Sequence, residues 1–341
     1  MKADNSRPAL AAIRAHFSST GLAIESDSFP QPLPVFLDTV LRGIGQVMLQ
    51  NNSYAGLLFL IGIFCNSALF GVAVLVGAAA STATAMLLGV ARSLVRAGLF
   101  GFNGALVAIA LLYFLEPDLL AWGYVVLAAA CTTVMMAALL NLLDTWKIPA
   151  LTVPFVLTTL SFVLAGARFG HLHSTGILPT AGLPVAATVE GVVTASTVIE
   201  GLFNGIAQVF FQGNVITGVF FAAGLLISSR LAVIAAFVGS FAGVLVAWGL
   251  GAAEPAIRAG AFGFNPVLTA IALGSGLFVP NVVSVAYGML AVAATAIVFA
   301  AMSAALEPLG IPVLTAPFVL VVWTFLLASP RFPRVRTAAG K

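Results

Sequence analysis

Apolar runs, broken by short polar or glycine-rich stretches, occupy the chain from about residue 33 to residue 328. They predict ten helices: 33–50, 53–67, 68–90, 119–143 and 148–167, then 191–212, 214–229, 231–250, 281–304 and 310–328. A helix that crosses a bilayer needs about 20 mostly apolar residues, and several runs approach that length. Two further runs, 104–115 and 266–274, are too short to cross and predict re-entrant half-helices.

The second half of the chain repeats the first. GIGQVMLQNN at 43–52 recurs as GIAQVFFQGN at 205–214, and GLFGFNGALVAIAL at 98–111 recurs as GAFGFNPVLTAIAL at 260–273, both at the same offset. IPALTVPFVL at 148–157 recurs as IPVLTAPFVL at 311–320, where the offset is longer by a single position. Three blocks in one order and at nearly one offset indicate an internal duplication.

Five crossings in each half is an odd number, so we expect the second half to be inverted relative to the first. The prediction is an all-α membrane protein with ten transmembrane helices plus two re-entrant half-helices. They form two inverted-topology repeats of five spans each, with the working site between the repeats near the midplane. The predicted division is a tail (1–32), a first repeat (33–168), a connecting loop (169–190), a second, inverted repeat (191–328) and a tail (329–341).

Composition supports the membrane assignment, because 61% of residues are hydrophobic and 7% are charged, against roughly 25% charged residues in soluble domains. Basic residues gather at both ends: Lys2, Arg7, Arg14, Arg331, Arg334, Arg336 and Lys341. They predict that both termini of a multi-pass inner-membrane protein are cytoplasmic, and they do not indicate nucleic acid binding. Residues 1–30 do not resemble a cleavable signal. Neither cysteine indicates a disulfide framework or a metal site, and no cofactor is expected.

A polar stripe marks the first predicted helix of each half. Its members recur every fourth residue and so share one helix face: Asp38, Arg42, Gln46 and Gln50, then Glu200, Asn204, Gln208 and Gln212. Polar groups inside a membrane normally face a protein interior or a cavity. The outer members are equally well explained as structural pairs, such as Asp38 with Arg42. For Gln46 and Gln208 the repeated surroundings favour a role in a site.

The Gly-Phe-Asn turns place Phe102 and Phe264 where each half-helix is expected to begin, with the following asparagine as a candidate N-cap. Leu106 and Leu268 lie four residues further on, roughly beneath each ring. Ordinary aromatic packing is one explanation, since the chain holds 26 phenylalanines. The symmetric pairing instead favours a flat slot between two rings.

The Thr-x-Pro blocks predict exposed hydrogen-bond acceptors. A proline inside a helix frees the carbonyl four residues earlier, which would be that of Ala150 or Val313. Thr152 and Thr315 add a hydroxyl beside each carbonyl. A simple kink is the alternative. Such acceptors, flat walls and the absence of charge in the three blocks suit a small, flat, neutral solute rich in N–H donors, whereas ions need charged rings or a carbonyl cage.

From about residue 33 to 328, the GxGFN and LTxPF blocks of both halves make the sequence resemble the urea transporter family. The resemblance implies a homotrimer in membrane lipid, with one channel-like pore per subunit for urea or a close small amide. It also implies an aromatic clamp of Phe102 and Phe264 flanked by Leu106 and Leu268. Further residues carried over are the narrow-section Thr152 and Thr315, the filter-end Gln46 and Gln208, and the entrance-lining Leu49 and Val209.

Other functions fit less well. An ammonium channel would need histidines in its pore, and the three histidines fall in predicted tails or loops. A water channel would show paired Asn-Pro-Ala half-helices, and an intramembrane enzyme would need a nucleophile–base pair or metal cluster within the spans. An ion-coupled secondary transporter of a small polar solute stays open, with Asp38 and Glu200 as candidate proton or sodium sites.

Overall fold

The computed structural model describes residues 33–183 and 188–338. The first half forms helices α1 (Leu33–Gln46), α2 (Ser53–Asn66), α3 (Ala68–Leu87), α4 (Arg92–Arg96), α5 (Phe102–Phe114), α6 (Leu119–Leu143) and α7 (Val153–Gly166). The second forms α8 (Ala195–Ala207), α9 (Val215–Ser228), α10 (Arg230–Gly249), α11 (Glu254–Arg258), α12 (Phe264–Ile271), α13 (Val282–Leu306) and α14 (Ala316–Ala328). The all-helical prediction is confirmed for these residues. The predicted tail 1–32 lies outside them.

Four helices are long and apolar enough to cross a membrane by themselves: α3, α6, α10 and α13. The pair α8 and α9, bent by 74° at a short break, is a fifth if its two helices form one span, so the described residues have up to five. The remaining apolar helices have fewer than 18 residues, which is short of the roughly 20 that a single straight span requires. The chain is therefore a multi-pass membrane protein, and the count of ten crossings stays a prediction.

Polar residues begin the helices at equivalent places in both halves. A side-chain oxygen caps the first turn of α2, α3 and α6, then of α9, α10 and α13, from Asn52, Ser67, Asp118, Asn214, Ser229 and Asn281 respectively. Each of these caps satisfies N–H groups that have no partner within the helix. The short polar breaks in the apolar pattern thus fix where helices start, and the duplication extends to this detail.

A π turn explains why the repeat offset lengthens by one position between the second and third blocks. In the first half the N–H of Leu115 donates to the carbonyl of Leu111, four residues back, at 2.7 Å. At the equivalent place in the second half the N–H of Phe278 donates to Leu273, five residues back, at 3.3 Å. The π-helix Ala272–Leu277 spans this position. A π turn accommodates one additional residue within a helix, so the insertion lies here.

Glycines let the first helix of each half touch the start of the half-helix. A Cβ added to Gly43 would lie 3.0 Å from the Cα of Gly101, and one added to Gly205 would lie 3.0 Å from the Cα of Gly263. Side chains at these crossings would force the helices apart. The Gly-Phe-Asn turns are therefore held against α1 and α8, which carry the glutamines of the polar stripe.

The two halves pack together through α2 and α9. The Thr217 hydroxyl donates to the carbonyl of Gly62 at 2.9 Å, and the rings of Phe59 and Phe221 meet edge to face at 5.1 Å. A second contact joins the ends of the halves, because the Trp323 indole N–H donates to the carbonyl of Pro149 at 2.8 Å. Equivalent elements thus meet around a common centre between the halves.

The segment after each half's last helix folds back on the half-helix. The N–H of Glu116 donates to the carbonyl of His173 at 2.9 Å, and the N–H of Val279 donates to that of Arg336 at 2.8 Å. These segments read RFGHLHS at 168–174 and RFPRVRT at 331–337, a fourth repeated block that carries histidines in one copy and arginines in the other.

Candidate functional site

The asparagine of each Gly-Phe-Asn turn fastens the half-helix to the last helix of the same half. The Oδ1 atom of Asn103 accepts the N–H of Phe155 at 3.1 Å, and that of Asn265 accepts the N–H of Phe318 at 3.1 Å. The expected N-cap role is wrong, because α5 and α12 already begin at the phenylalanine before each asparagine. The amide instead satisfies a first-turn donor of α7 or α14.

The prolines of the Thr-x-Pro blocks occupy the first turn of a helix and not its interior. The predicted helices 148–167 and 310–328 begin later, at Val153 and Ala316. A proline in the first turn disturbs no intrahelical hydrogen bond, which corrects the expectation of freed carbonyls. The carbonyl of Ala150 accepts the N–H of Val153 at 3.2 Å, and that of Val313 accepts the N–H of Ala316 at 3.4 Å.

The two threonines of these blocks meet across the halves. The hydroxyl oxygens of Thr152 and Thr315 lie 2.7 Å apart and share a hydrogen bond. Both residues are buried, with 3% and 4% of their surface exposed. The pair joins the residues immediately before α7 and α14, so the two halves touch at their equivalent positions.

A first cavity of about 90 Å³ lies on one side of this pair. Three predicted site residues line it, Gln46, Leu49 and Phe102, together with Leu151, the neighbour of Thr152. Leu277, which ends the π turn of the second half, also lines it. The cavity is therefore built by both halves.

A second cavity of about 230 Å³ includes Thr315 in its wall. Gln208, Val209 and Phe264 line it from the second half, and Phe114 lines it from the first. The arrangement mirrors the first cavity, since Gln208 and Phe264 are the repeats of Gln46 and Phe102. Of the hydrogen-bonded pair, Thr315 lines the second cavity, and Leu151, the residue before Thr152, lines the first.

Phe102 lines the first cavity and Phe264 the second, so the two rings do not line one common slot as expected. The Phe264 ring packs edge to face on Phe299 at 5.6 Å. Leu106 and Leu268 are each 1% exposed and are absent from the walls of both cavities. These leucines lie beneath the phenylalanines as core residues of α5 and α12.

The two glutamines are held in the same way. The Nε2 atom of Gln46 donates to the carbonyl of Ala97 at 2.8 Å, and that of Gln208 donates to the carbonyl of Ala259 at 3.1 Å. Each carbonyl belongs to the residue after a short helix, α4 or α11. With its nitrogen oriented in this way, each amide has its oxygen as the atom that can accept a further hydrogen bond.

Non-glycine residues with a left-handed backbone are concentrated at the cavities. Among the described residues, five non-glycine residues have a positive φ: Leu49 (62°), Lys147 (55°), Leu151 (50°), Phe211 (59°) and Leu314 (54°). All five line one of the two cavities. Such conformations cost about 1–3 kcal/mol each and cluster at functional sites. Their common location marks the two cavities independently of the sequence motifs.

The carboxylates of the polar stripe are paired with arginines. The Oδ2 atom of Asp38 lies 2.8 Å from Nε of Arg42 and 3.5 Å from Nη2 of Arg96. At the equivalent position the Oε1 atom of Glu200 lies 2.6 Å from Nη1 of Arg258. Neither carboxylate is a wall residue of the two cavities. This favours the structural explanation of the outer stripe residues.

Glu254 adds a second carboxylate to the Arg258 pair, at 2.7 Å from its Nη2 atom. A hydrogen bond from the Thr197 hydroxyl, with another from Arg258, holds the pKa of Glu254 below its usual value. The second half therefore pairs two carboxylates with one guanidinium, whereas the first half pairs one carboxylate with two guanidinium groups.

Several cavity residues were missing from the sequence-based prediction: Asp144, Lys147, Phe114, Phe211, Phe299 and Glu307. Asp144 and Glu307 stand at equivalent positions of the two halves, just before the Thr-x-Pro blocks. Alignment of the halves beyond the three conspicuous blocks would have revealed that pair. Phe211 repeats Leu49 within the first of these blocks, so that block already indicated an entrance residue there.

Comparison with known proteins identifies the family of the chain. The family model described as Urea transporter matches residues 37–330. Urea transporter 1 of sheep (Ovis aries) is 32% identical over 311 residues, which cover 90% of this chain and 80% of the relative. Urea transporter 1 of rat (Rattus norvegicus) is 30% identical over 305 residues, which cover 88% and 79%. The chain therefore belongs to the urea transporter family, whose members are transporters and not enzymes.

Proposed function

We propose that the protein is a urea transporter of channel type, through which urea moves passively down its gradient. The path runs from the first cavity, past Thr152 and Thr315, to the second cavity. The observation that carries the proposal is the threonine pair, whose hydroxyl oxygens are 2.7 Å apart between two cavities built by both halves. In this proposal the pair is the narrow middle of a selectivity filter and separates to admit the solute.

The chemistry of the path suits urea. Urea is planar and neutral, with four N–H donors and one acceptor, and each polar group left without a partner costs about 2–7 kcal/mol. The amide oxygens of Gln46 and Gln208 offer acceptors near the two ends, and the threonine hydroxyls offer them in the middle. Phe102 and Phe264 supply flat faces on the two sides of the threonines.

The ion-coupled alternative would need a carboxylate that can bind and release a proton or a sodium ion. Its candidates are Asp38 and Glu200, which are held by Arg42, Arg96 and Arg258 at 2.6–3.5 Å. Each carboxylate therefore already has a positively charged partner within ion-pair distance. This arrangement favours a structural role for both acids and a path that needs no coupling ion.

The proposal also includes the topology, the membrane location and the assembly of the protein. The repeated order of seven helices in each half supports two inverted repeats related by an axis in the membrane plane. The arginines of 331–336 support a cytoplasmic C-terminus in the cell (inner) membrane. The exposed apolar faces of α6 and α13 are available to lipid or to neighbouring subunits of a homotrimer.

The test is urea efflux from proteoliposomes followed by stopped-flow light scattering. A passive channel raises urea permeability well above that of empty vesicles, and imposed pH or sodium gradients leave the rate unchanged. A rate that follows either gradient would replace the channel with the coupled transporter. Equal permeability in vesicles with and without protein would remove the proposal.

A further inference from the structure

Aromatic rings line the second cavity at positions where the first has aliphatic side chains. Phe211 is equivalent to Leu49 of the other half, Phe299 to Met136, and Phe114 to Leu277. Tyr113, Phe155 and Phe264 complete the rings of the second cavity, whereas Phe102 is the ring of the first. One cavity is thus an aromatic chamber and the other an aliphatic chamber.

The rings form two groups of contacting side chains. Phe211 lies 5.4 Å from Tyr113 and 6.3 Å from both Phe114 and Phe155, as measured between ring centroids. Phe264 and Phe299 form the second group and meet at 5.6 Å with an interplanar angle of 80°. Both groups line the same space of about 230 Å³. Ring faces are negative and attract cations that approach within about 6 Å.

The charged side chains of the two cavities also favour cation binding in the second cavity over the first. Among the described residues, Glu307 is the charged one in the second cavity's wall, and Ser303 stands one turn before it. The first cavity has the equivalent acid, Asp144, but also Lys147. Gly310 replaces that lysine in the second half. A cation is thus attracted by the rings and the carboxylate in one cavity and meets a positive charge in the other.

We infer that the second cavity is a binding site for a small planar organic cation of the guanidinium type. Guanidinium has the flat, trigonal shape of urea but carries a positive charge. It enters the aromatic chamber with its N–H groups towards Glu307 and its plane against the rings. The threonine pair offers two neutral hydroxyls and no carboxylate, so the cation stops there. It then blocks urea flux, and only this last step rests on the proposed function.

The direct test is isothermal titration calorimetry of the purified protein with guanidinium chloride, at ionic strength held constant with sodium chloride. The parent is expected to show saturable binding at one site per chain. Absence of saturable heat at millimolar concentrations would overturn the inference. Because this readout needs no transport, a protein that binds guanidinium but passes no urea would refute the channel and leave the cation site intact.

Substitution by first-half residues locates the site. The double variant Phe211→Leu, Phe299→Met removes two rings and is expected to weaken guanidinium binding about tenfold. Leu49 has φ of 62° where Phe211 has 59°, so leucine is compatible with that backbone. Glu307→Gln is expected to weaken binding by a similar factor.

The matched control is Phe332→Leu, which removes a half-exposed ring outside both cavities and is expected to bind as the parent does. Equal affinity of the parent, the double variant and Glu307→Gln would overturn the inference. In flux assays, guanidinium is expected to slow urea efflux through the parent and to have about tenfold lower potency on the double variant. Block of equal potency in both would contradict the assignment to this cavity.

Discussion

Leu49, Met136 and Leu277 line the first cavity where Phe211, Phe299 and Phe114 line the second. Both cavities share one frame, which consists of left-handed leucine residues, a glutamine held by a carbonyl and the half-helix phenylalanine. The comparison separates two kinds of position. In the proposed function, those kept in both halves belong to the transport path, and those that differ set which solutes bind at each end.

The largest effect is expected from the asparagines that fasten the frame. Asn103→Leu leaves the N–H of Phe155 buried without a partner, which costs about 1–3 kcal/mol, and Asn265→Leu does the same to Phe318. We expect both variants to lower the thermal unfolding midpoint in detergent and to reduce urea permeability. Asn141→Leu, at an exposed position of α6, is the control and should leave both unchanged. A large loss in one half alone would show that the frame is not shared.

The next largest effect is expected from Gln46 and Gln208. Gln46 is more buried than Gln208, but each side chain donates to the carbonyl that follows a short helix. Gln46→Leu and Gln208→Leu each remove one acceptor near an end of the path, and one hydrogen bond is worth about 0.5–1.5 kcal/mol. Urea permeability in proteoliposomes should fall about threefold to tenfold in each case. Variants that remain as stable as the parent and as permeable would exclude the glutamines from the path.

A smaller effect is expected from exchanging the charge that distinguishes the cavities. Gly310→Lys places in the second cavity the lysine that the first one has, at a backbone position that Lys147 adopts with φ of 55°. Repulsion through partly screened solvent should weaken guanidinium binding about fivefold. The measurement is calorimetric titration, and Lys147→Gly should leave the affinity of the second cavity unchanged. Unaltered affinity in Gly310→Lys would show that cavity charge plays no part.

The smallest effect is expected at the ion-pair cluster of the second half. The pKa of Glu254 is held low by Thr197 and Arg258, so its contribution to stability is present at neutral pH and is lost as pH falls through that lowered pKa. Glu254→Gln should therefore unfold at a slightly lower temperature than the parent at pH 7, and the two should converge in acid. A difference in unfolding temperature that grows on acidification would contradict this prediction.

The sequence was a good guide wherever one short block determines the outcome. The duplication and the helical class were visible in it, as were Gln46 and Phe102, which line the first cavity, and Thr315, which lines the second. Asn103 was misassigned because its partner, Phe155, is 52 residues away along the chain. A local sequence pattern cannot show that two such distant residues are in contact. A capping preference describes only the nearest helix, whereas this amide serves another one.

Other features needed backbone geometry. The left-handed turns at Leu151 and Leu314 shorten the helices that apolar length alone extended to residues 148 and 310. Leucine has no preference for the left-handed conformation, so the residue type does not predict these turns. The π turn was present in the sequence as the lengthened offset of the third repeated block. Its position became clear only from the hydrogen bond between Phe278 and Leu273.

The central claim is that urea passes between Thr152 and Thr315, and a double-mutant cycle on urea permeability tests it most directly. The set is the parent, Thr152→Val, Thr315→Val and the double variant, each reconstituted at equal protein density with empty vesicles as reference. Because the two hydroxyls share one hydrogen bond, each single variant should lose about tenfold in permeability, and the double variant should lose clearly less than the product of the two. Permeability unchanged in both single variants, or a parent no more permeable than empty vesicles, would contradict the account.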